Sequence, residues 1–276
     1  MGYVSKKLFS IVKNLIFVPK CAACDERLSP IPEKGSLTYD KICFCKDCGE
    51  KWERAKAQMC PKCGNLSEDC TCSPKFFYKH QPNIPSLCFY HPDSGDVQSK
   101  TIITLKRRDD DELFEFLAIE LYPKLKKTLD AMKTDGKDCI FTWVPRTDRS
   151  AAKSGFDQGK KLAERIAVLY GAKAYPLFLR TGGREQKKLN KQGRAKNAQK
   201  SIKLNFSMRK IPLKLRESEL SALLRGKSIV IIDDVLTSGA TLRRAVELLR
   251  TQHPAKTVVA CIAKTEEKSS KGAKVE

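Results

Sequence analysis

The segment from Ser228 to Thr241 constrains the fold of this chain most strongly, because a short apolar run in it leads directly to two carboxylates and a loop of small residues. The four β-branched residues 229–232 are typical of a strand buried on both faces, as in a parallel sheet. From Leu242 onward, apolar residues recur at the spacing of one helix face. This order predicts an α/β domain with an anion-binding turn at the carboxyl end of a central strand.

The turn supplies the groups that a phosphate needs. Gly239 lets the backbone come close to a ligand, and the hydroxyls of Thr237, Ser238 and Thr241 add donors beside the N–H groups at the helix start. The two carboxylates before the turn would repel a phosphate in direct contact, so we expect them to accept hydrogen bonds from sugar hydroxyls. The alternative is that they only cap a turn between strand and helix.

This segment resembles the phosphoribosyl pyrophosphate (PRPP) loop of type I phosphoribosyltransferases. The resemblance implies that Asp233 and Asp234 bind the ribose hydroxyls, that the loop binds the 5′-phosphate, and that Mg²⁺ accompanies the diphosphate. The implied PRPP-binding residues are Asp233, Asp234, Val235, Thr237, Ser238, Gly239, Ala240 and Thr241.

Paired cysteines near the start of the chain predict structural zinc rather than disulfides. The pairs are Cys21-x-x-Cys24, Cys45-x-x-Cys48, Cys60-x-x-Cys63 and Cys70-x-Cys72. Eight ligands suffice for two zinc ions, with a single ion as the alternative. We expect the first pair to join the second and the third to join the fourth; an interleaved arrangement is the runner-up. Cys43 can replace Cys45 if the register differs.

A basic surface follows from the excess of Lys and Arg over Asp and Glu, which gives a formal net charge of +21. Such a charge attracts nucleic acid, acidic lipid surfaces or phosphorylated metabolites. The stretch 180–203 is rich in Lys and Arg, is almost free of apolar residues and contains the pair Gly182-Gly183. It predicts a mobile lid over a polyphosphate or a nucleic-acid contact, with a charged loop of no specific role as the alternative.

The remaining hydrophobic pattern alternates strands and helices. Strands are expected at 87–90, 138–144, 174–179, 204–206 and 257–263, and helices at 97–108, 113–121, 158–170 and 219–224. The strand that ends at Val144 and Pro145 leads into a loop with Arg146 and Arg149. Ligands of α/β sheets lie at this edge, so both arginines are candidates for the pyrophosphate.

Several blocks together resemble the ComF family, the competence-protein phosphoribosyltransferase-like proteins that include the GntX group of gram-negative bacteria. The blocks are the cysteine pairs, Val144-Pro145, Gly155-Phe156-x-Gln158 and Gln186-x-x-Leu189-x-x-x-x-Arg194-x-x-Asn197. The last block matches the family's lid and implies that Gln186, Arg194 and Asn197 approach the pyrophosphate. Ser154 and Asp157 depart from the arginine and asparagine that the family usually has there.

The resemblance implies a cytoplasmic bacterial protein of natural competence that binds PRPP and handles single-stranded DNA during uptake. Competence-machinery proteins and the cytoplasmic face of the inner membrane are the implied partners, and no run of eighteen apolar residues predicts a membrane span. The alternatives are an active phosphoribosyltransferase in nucleotide metabolism or a PRPP-sensing regulator. Beyond Ala263 only a polar tail follows, which argues against ordinary base salvage.

We therefore predict a type I phosphoribosyltransferase fold, with a central, mostly parallel sheet flanked by helices and a small cysteine-rich zinc-ribbon module. The predicted divisions are an N-terminal amphipathic helix (1–18), the zinc-ribbon module (19–75), a linker (76–85), the phosphoribosyltransferase-like domain (86–265) and a flexible tail (266–276).

Overall fold

Strands and helices alternate along the described residues of this computed structural model, which are 18–28, 43–72, 81, 83–181, 198, 200–206 and 217–266. The strands are β1 (Cys88–Phe89), β2 (Cys139–Trp143), β3 (Lys173–Ala174), β4 (Phe178–Arg180), β5 (Ile202–Leu204), β6 (Ser228–Leu236) and β7 (Lys256–Lys264). The helices are α1 (Lys46–Lys56), α2 (Val97–Arg107), α3 (Asp111–Ala131), α4 (Asp148–Ser154), α5 (Gln158–Leu169), α6 (Glu217–Leu224) and α7 (Ala240–Arg250).

Five strands form one parallel sheet in the order β1-β7-β6-β2-β3. The central strand is β6, where Ile232 lies opposite Trp143 of β2 and Ala260 of β7. The predicted α/β fold with a parallel sheet and a strand buried on both faces is confirmed. Because all five strands run the same way, their carboxyl ends meet at one edge.

Two hydrophobic cores cover the two faces of this sheet. Val230 and Ile232 of β6 belong to the core on the side of α3 and α5, whereas Ile229 and Ile231 belong to the core on the side of α7. Each of the four side chains is fully buried, and burial of one such side chain stabilises the fold by about 1.5–3 kcal/mol. The alternation follows from the period of two along a strand.

The central strand continues past the point at which the apolar run stops. The carboxylates of Asp233 and Asp234 lie within β6, which extends to Leu236. The extension is paired with β7, where Leu236 lies opposite Lys264, whereas β2 ends opposite Ile232. Backbone pairing on one side therefore holds the two acids in an extended conformation.

The predicted strand at 174–179 is two strands. Lys173 and Ala174 pair with β2 in the main sheet, but Phe178 to Arg180 form β4, which pairs antiparallel with β5 in a separate two-stranded sheet. Pro176 lies between them, and proline cannot donate to a ladder. The predicted strand at 204–206 is likewise shifted to β5, outside the main sheet.

The predicted basic loop after β2 contains a short helix. Arg146 remains in the loop, but Arg149 lies within α4, which is capped by the Thr147 side chain and ends at Gly155 in the left-handed region (φ 75°). Thr147 accepts a hydrogen bond from the Ser150 N–H at 3.3 Å. A hydroxyl cap and a left-handed glycine are local signals that bound this helix of about two turns.

The cysteine-rich module packs against the α/β domain. Phe44 stacks on Trp52 of α1 with ring centroids 5.4 Å apart, and it meets Phe116 of α3 edge-on at 5.6 Å. Lys56 of α1 forms an ion pair with Glu120 of α3. The apolar contact and the ion pair bind α1 to α3.

Other predicted segments lie partly or wholly outside the described residues. They are residues 1–17 of the N-terminal helix, most of the linker, residues 267–276 of the tail and the lid residues Gln186, Arg194 and Asn197. Of the linker, Gln81 and Ile84 are described and buried, and the Gln81 side-chain amide exchanges two hydrogen bonds with the Val259 backbone. Among the described helices, none is long and apolar enough to cross a membrane.

Candidate functional site

The two acids of β6 have different surroundings at the carboxyl edge of the sheet. Asp234 is buried, lies 3.3 Å from Lys106 Nζ and accepts a hydrogen bond from Gln158 Nε2 at 3.1 Å. Asp233 is half-buried, and its carboxylate accepts the Asp234 N–H at 2.9 Å. The two acids are adjacent in sequence. Among the described residues, the cation at ion-pair distance from this pair is Lys106, and it pairs with Asp234.

These surroundings shift the two pKa values in opposite directions. Burial, together with the charge of Asp234, raises the pKa of Asp233 well above its usual range. Burial also disfavours the Asp234 carboxylate, but the Lys106 charge and the Gln158 hydrogen bond outweigh it and lower the pKa of Asp234. Because their pKa values are shifted in opposite directions, the two carboxyl groups differ in charge state. Asp234 is held as an anion, and Asp233 is the member of the pair that accepts a proton.

The predicted phosphate turn has the required backbone geometry. Gly239 is buried, has φ 70° and precedes the first residue of α7, while Thr237 is exposed and Thr241 is half-buried. The first backbone N–H groups of a helix have no intrahelical partner, and no described side chain caps those of α7, so an anion bound at the turn can accept them. The turn thus follows the acidic pair at the same edge of the sheet.

Asp157 organises the loop that follows β2. One carboxylate oxygen accepts the Arg146 N–H at 3.0 Å, and the other accepts the Lys160 N–H at 3.2 Å, which caps α5. The Arg146 guanidinium donates to the Lys106 backbone oxygen at 3.1 Å. Arg146 is therefore fixed near the residue that pairs with Asp234, whereas the structure describes the backbone of Arg149 but not its side chain.

A cleft of about 450 Å³ lies between the β2 edge and the β4–β5 sheet. Its lining includes Trp143, Arg146, Asp157, Arg180 and Asn205. The buried Nε of Arg180 has no hydrogen-bond partner among the described residues. Burial lowers the pKa of Arg180, while the charges of Asp233 and Asp157 oppose that change. The cleft therefore places a partly buried cation close to the acidic pair.

Sequence reasoning missed part of this site. Lys106 and Gln158 were not among the predicted ligand-binding residues, Arg180 was included only as the first residue of the predicted lid, and Asp157 was noted as a departure from the family pattern. Lys106 lies far from the acids in sequence and is one of several basic residues at the end of a helix. No local sequence signal therefore identifies it as part of the site. Gln158 is the one with a detectable signal, because it belongs to the Gly155-Phe156-x-Gln158 block.

The eight paired cysteines form two groups that can each hold a metal ion. The groups are Cys21, Cys24, Cys45 and Cys48, and Cys60, Cys63, Cys70 and Cys72, which is the sequential arrangement. Within each group the sulfur atoms lie within 4.8 Å of one another. A tetrahedral zinc site with Zn–S bonds of about 2.3 Å needs sulfurs about 3.8 Å apart, so the groups fit zinc. Cys43 is buried and belongs to neither group.

Each group is built on the same kind of turn. Cys21 donates its N–H to Glu26 O and Cys60 donates to Asn65 O, both at 2.8 Å. In each group, the residue that follows the first Cys-x-x-Cys pair is in the left-handed region, with φ 61° at Asp25 and φ 69° at Gly64. Burial raises the pKa of Cys45 and of Cys70 to about 11, so a bound cation is needed to hold these sulfurs as thiolates.

Residues 159–275 match the family model of the phosphoribosyl transferase domain. No curated protein sequence matches the chain. Similar solved structures include a hypoxanthine phosphoribosyltransferase from Staphylococcus aureus, with 14% identity, 63% of this chain and 77% of that chain covered, and a TM-score of 0.33. A hypoxanthine-guanine-xanthine phosphoribosyltransferase has 10% identity, covers 59% and 69%, and has a TM-score of 0.30. The match over residues 159–275 and the parallel sheet support a phosphoribosyltransferase fold.

Proposed function

We propose that this chain binds PRPP with Mg²⁺ at the carboxyl edge of its parallel sheet. The proposal rests on one observation, the order of chemical groups along β6 and into α7. An acidic pair is followed there by a left-handed glycine and the start of a helix. The whole segment lies inside the part of the chain that matches the phosphoribosyl transferase domain. A hydroxyl-binding pair beside a phosphate-binding turn fits a sugar phosphate.

The two acids have separate roles in this proposal. Asp234 is already bound by Lys106 and Gln158, so it fixes the end of β6 and keeps a negative charge there. Asp233 has no described side-chain cation at ion-pair distance, and its carboxylate accepts the Asp234 N–H, so it can accept further donors from a ligand. The ribose hydroxyls supply those donors, because each hydroxyl can give one hydrogen bond to a carboxylate oxygen.

Cations around the cleft are suited to the diphosphate. Arg146 is held in place through its backbone by Asp157, and Arg180 lines the same cleft. Arg149 and the lid residues Gln186, Arg194 and Asn197 are proposed to add contacts when PRPP is bound. Mg²⁺ bound to the diphosphate would supply charge neutralisation. The chain's own contribution is to orient the ribose and to hold positive charge where the pyrophosphate lies.

Isothermal titration calorimetry of the zinc-loaded protein with PRPP and Mg²⁺ tests this proposal. We expect saturable binding that is lost, by at least about 100-fold in affinity, when Asp233→Asn and Asp234→Asn are combined, since the acceptor for the ribose hydroxyls and the charge that fixes the end of β6 are both removed. Asp130→Asn is the matched control, because Asp130 lies in an exposed ion pair with Lys126. Equal binding by the double variant and the wild type would refute the assignment of the acids.

We propose further that the chain acts as a ComF-like protein that handles single-stranded DNA during uptake in the bacterial cytoplasm, next to the competence machinery. The net charge of +21 supports a polyanionic partner. A cleft of about 600 Å³ between the first cysteine group and α2 is lined by Lys51, Arg54 and Lys100. The paired cysteines lie in two groups that fit zinc rather than disulfides, which agrees with a reducing compartment.

Fluorescence anisotropy with a labelled oligonucleotide tests the DNA proposal. We expect the affinity to fall steeply between about 50 and 200 mM salt, and to fall less steeply in a variant with Lys51, Arg54 and Lys100 changed to Gln. Absence of binding at low salt would refute it.

A transferase activity is the second candidate, and the cleft of about 450 Å³ lined by Arg146 and Arg180 favours it because an acceptor has room there. Release of pyrophosphate from PRPP across a panel of nitrogen nucleophiles would support transfer, and release by none of them would refute it.

A further inference from the structure

Lys264 is a buried lysine beside the second cysteine group, defined by Cys60, Cys63, Cys70 and Cys72. It is the last residue of β7 and is only 2% exposed. Its Nζ donates to the backbone oxygens of Cys70 at 3.0 Å and Ile84 at 3.5 Å. Among the described residues no carboxylate lies at ion-pair distance from it. A buried ammonium without an anionic partner is costly, so its counter-charge must be found elsewhere.

The second cysteine group can provide that counter-charge. Four thiolates around one Zn²⁺ carry a net charge of −2, and Cys60 and Cys70 are buried against Phe89 of β1. In the first group Cys24 is exposed, so water can screen the charge there. The second group has no exposed cysteine, and the buried Lys264 is bonded to the backbone oxygen of its ligand Cys70.

The same lysine is directly connected to the phosphate turn. The next residue, Thr265, donates its N–H to Leu236 O at 2.9 Å. The Thr265 hydroxyl lies 3.4 Å from Leu236 O and 3.5 Å from Thr237 O, at the first residue of the turn. One peptide bond and three hydrogen-bond contacts of Thr265 therefore connect Lys264 to Leu236 and Thr237, which precede Gly239.

We propose that Lys264 is the buried counter-cation of the second zinc site and that, through Thr265, zinc binding at this site is coupled to anion binding at the Thr237–Thr241 turn. The second half of the proposal rests on the proposed function. Metal at the second group fixes Lys264, Lys264 fixes the end of β7, and the end of β7 fixes the start of the turn. The first group has no such connection and serves as an internal reference in the same molecule.

Equilibrium zinc competition on the wild-type protein tests the coupling. Each cluster is titrated with a graded chelator, free thiols are alkylated, and peptide mass spectrometry reports which cysteines have lost metal. Because coupling between two binding sites is reciprocal, saturating PRPP with Mg²⁺ should raise the zinc affinity of the second group by at least about fivefold and leave that of the first unchanged. An unchanged affinity at the second group, with PRPP bound by calorimetry, overturns the coupling.

Lys264→Met tests the counter-cation and needs no PRPP. It keeps the length of the side chain and removes the charge. We expect the zinc affinity of the second group to fall by at least about tenfold while the first group is unaffected, and Lys126→Met, at an exposed lysine, should change neither. If Lys264→Met leaves both affinities unchanged, the proposal is wrong. If PRPP does not bind the wild type, the proposed function fails, and this comparison still decides the role of Lys264.

Discussion

The opposite shifts of the two adjacent acids predict opposite effects on stability when each is changed to an amide. Asp234→Asn removes the charge that Lys106 pairs with, whereas Asp233→Asn removes a half-buried carboxyl group whose ionised form is repelled by Asp234. Asparagine keeps the shape of aspartate and can still accept the backbone hydrogen bonds at these positions. We therefore expect Asp234→Asn to destabilise the protein and Asp233→Asn to stabilise it, although both weaken PRPP binding.

The magnitude follows from the exposure of the ion pair. Loss of one partner of a fully buried pair costs about 3–5 kcal/mol, and exposed pairs contribute about 0–1 kcal/mol. The Asp234 side chain is 9% exposed and that of Lys106 is 35% exposed, so the pair lies between these cases. We expect Asp234→Asn to lower the free energy of unfolding by about 1–3 kcal/mol and Asp233→Asn to raise it by about 1 kcal/mol. In a chain of this size each kcal/mol moves Tm by about 2–4 °C.

The pH dependence has a defined sign for each acid. A raised pKa means that the folded state holds its proton longer than the unfolded state, so ionised Asp233 lowers stability above its folded pKa. The advantage of Asp233→Asn should therefore be full at high pH and vanish as the pH falls toward the usual carboxyl range. The contribution of Asp234 should be present above that range and be lost as the pH falls through its lowered pKa.

Scanning calorimetry of both variants and of Asp130→Asn, at several pH values and with zinc in excess, measures these effects. Each variant is compared with the wild type at the same pH, so that changes in zinc binding common to all proteins cancel. If Asp233→Asn lowers Tm as much as Asp234→Asn does, the assignment of distinct charge states is wrong.

Two glycine substitutions test the backbone arguments. Gly239→Ala should weaken PRPP binding in calorimetry and cost about 1 kcal/mol of stability, because alanine is strained at φ 70°; unchanged affinity would show that the turn does not need this conformation. Gly136→Ala should lower Tm by several degrees without changing PRPP affinity, since its Cβ would lie 1.9 Å from the Tyr170 ring and overpacking costs about 1–3 kcal/mol; an unchanged Tm would show that the ring moves freely.

The features that could be predicted from the sequence are the ones encoded locally. The buried strand β6 is a run of β-branched residues, and the helix caps at Asp110 and Asp157 are single residues before periodic apolar patterns. The zinc groups follow from spacing within short turns, and the turn at Asp25 repeats the one at Gly64. In each case the residues that fix the structure lie within a few positions of one another.

The features that were missed depend on distant parts of the chain. Lys106 and Asp234 are far apart in sequence, and only the packing of α2 against the end of β6 brings them together. The end of β6 was placed too early because apolarity stops at Ile232, while the pairing that extends the strand comes from β7. Strand β4 was merged with β3 because a short apolar segment does not reveal which sheet it joins.

The cysteine-rich module contacts both halves of the candidate site, which gives a physical reason for its presence. On one side, Arg108 at the end of α2 donates to Lys20 O at 2.9 Å, beside the first group and two residues from Lys106. On the other side, Lys264 contacts the second group, and the next residue, Thr265, contacts the backbone beside the phosphate turn. The first contact is to the backbone of Lys20, which is not a cysteine ligand, whereas the second is to the backbone of the ligand Cys70 and continues through Thr265 to the turn. A structural metal module is therefore expected to set ligand affinity without touching the ligand.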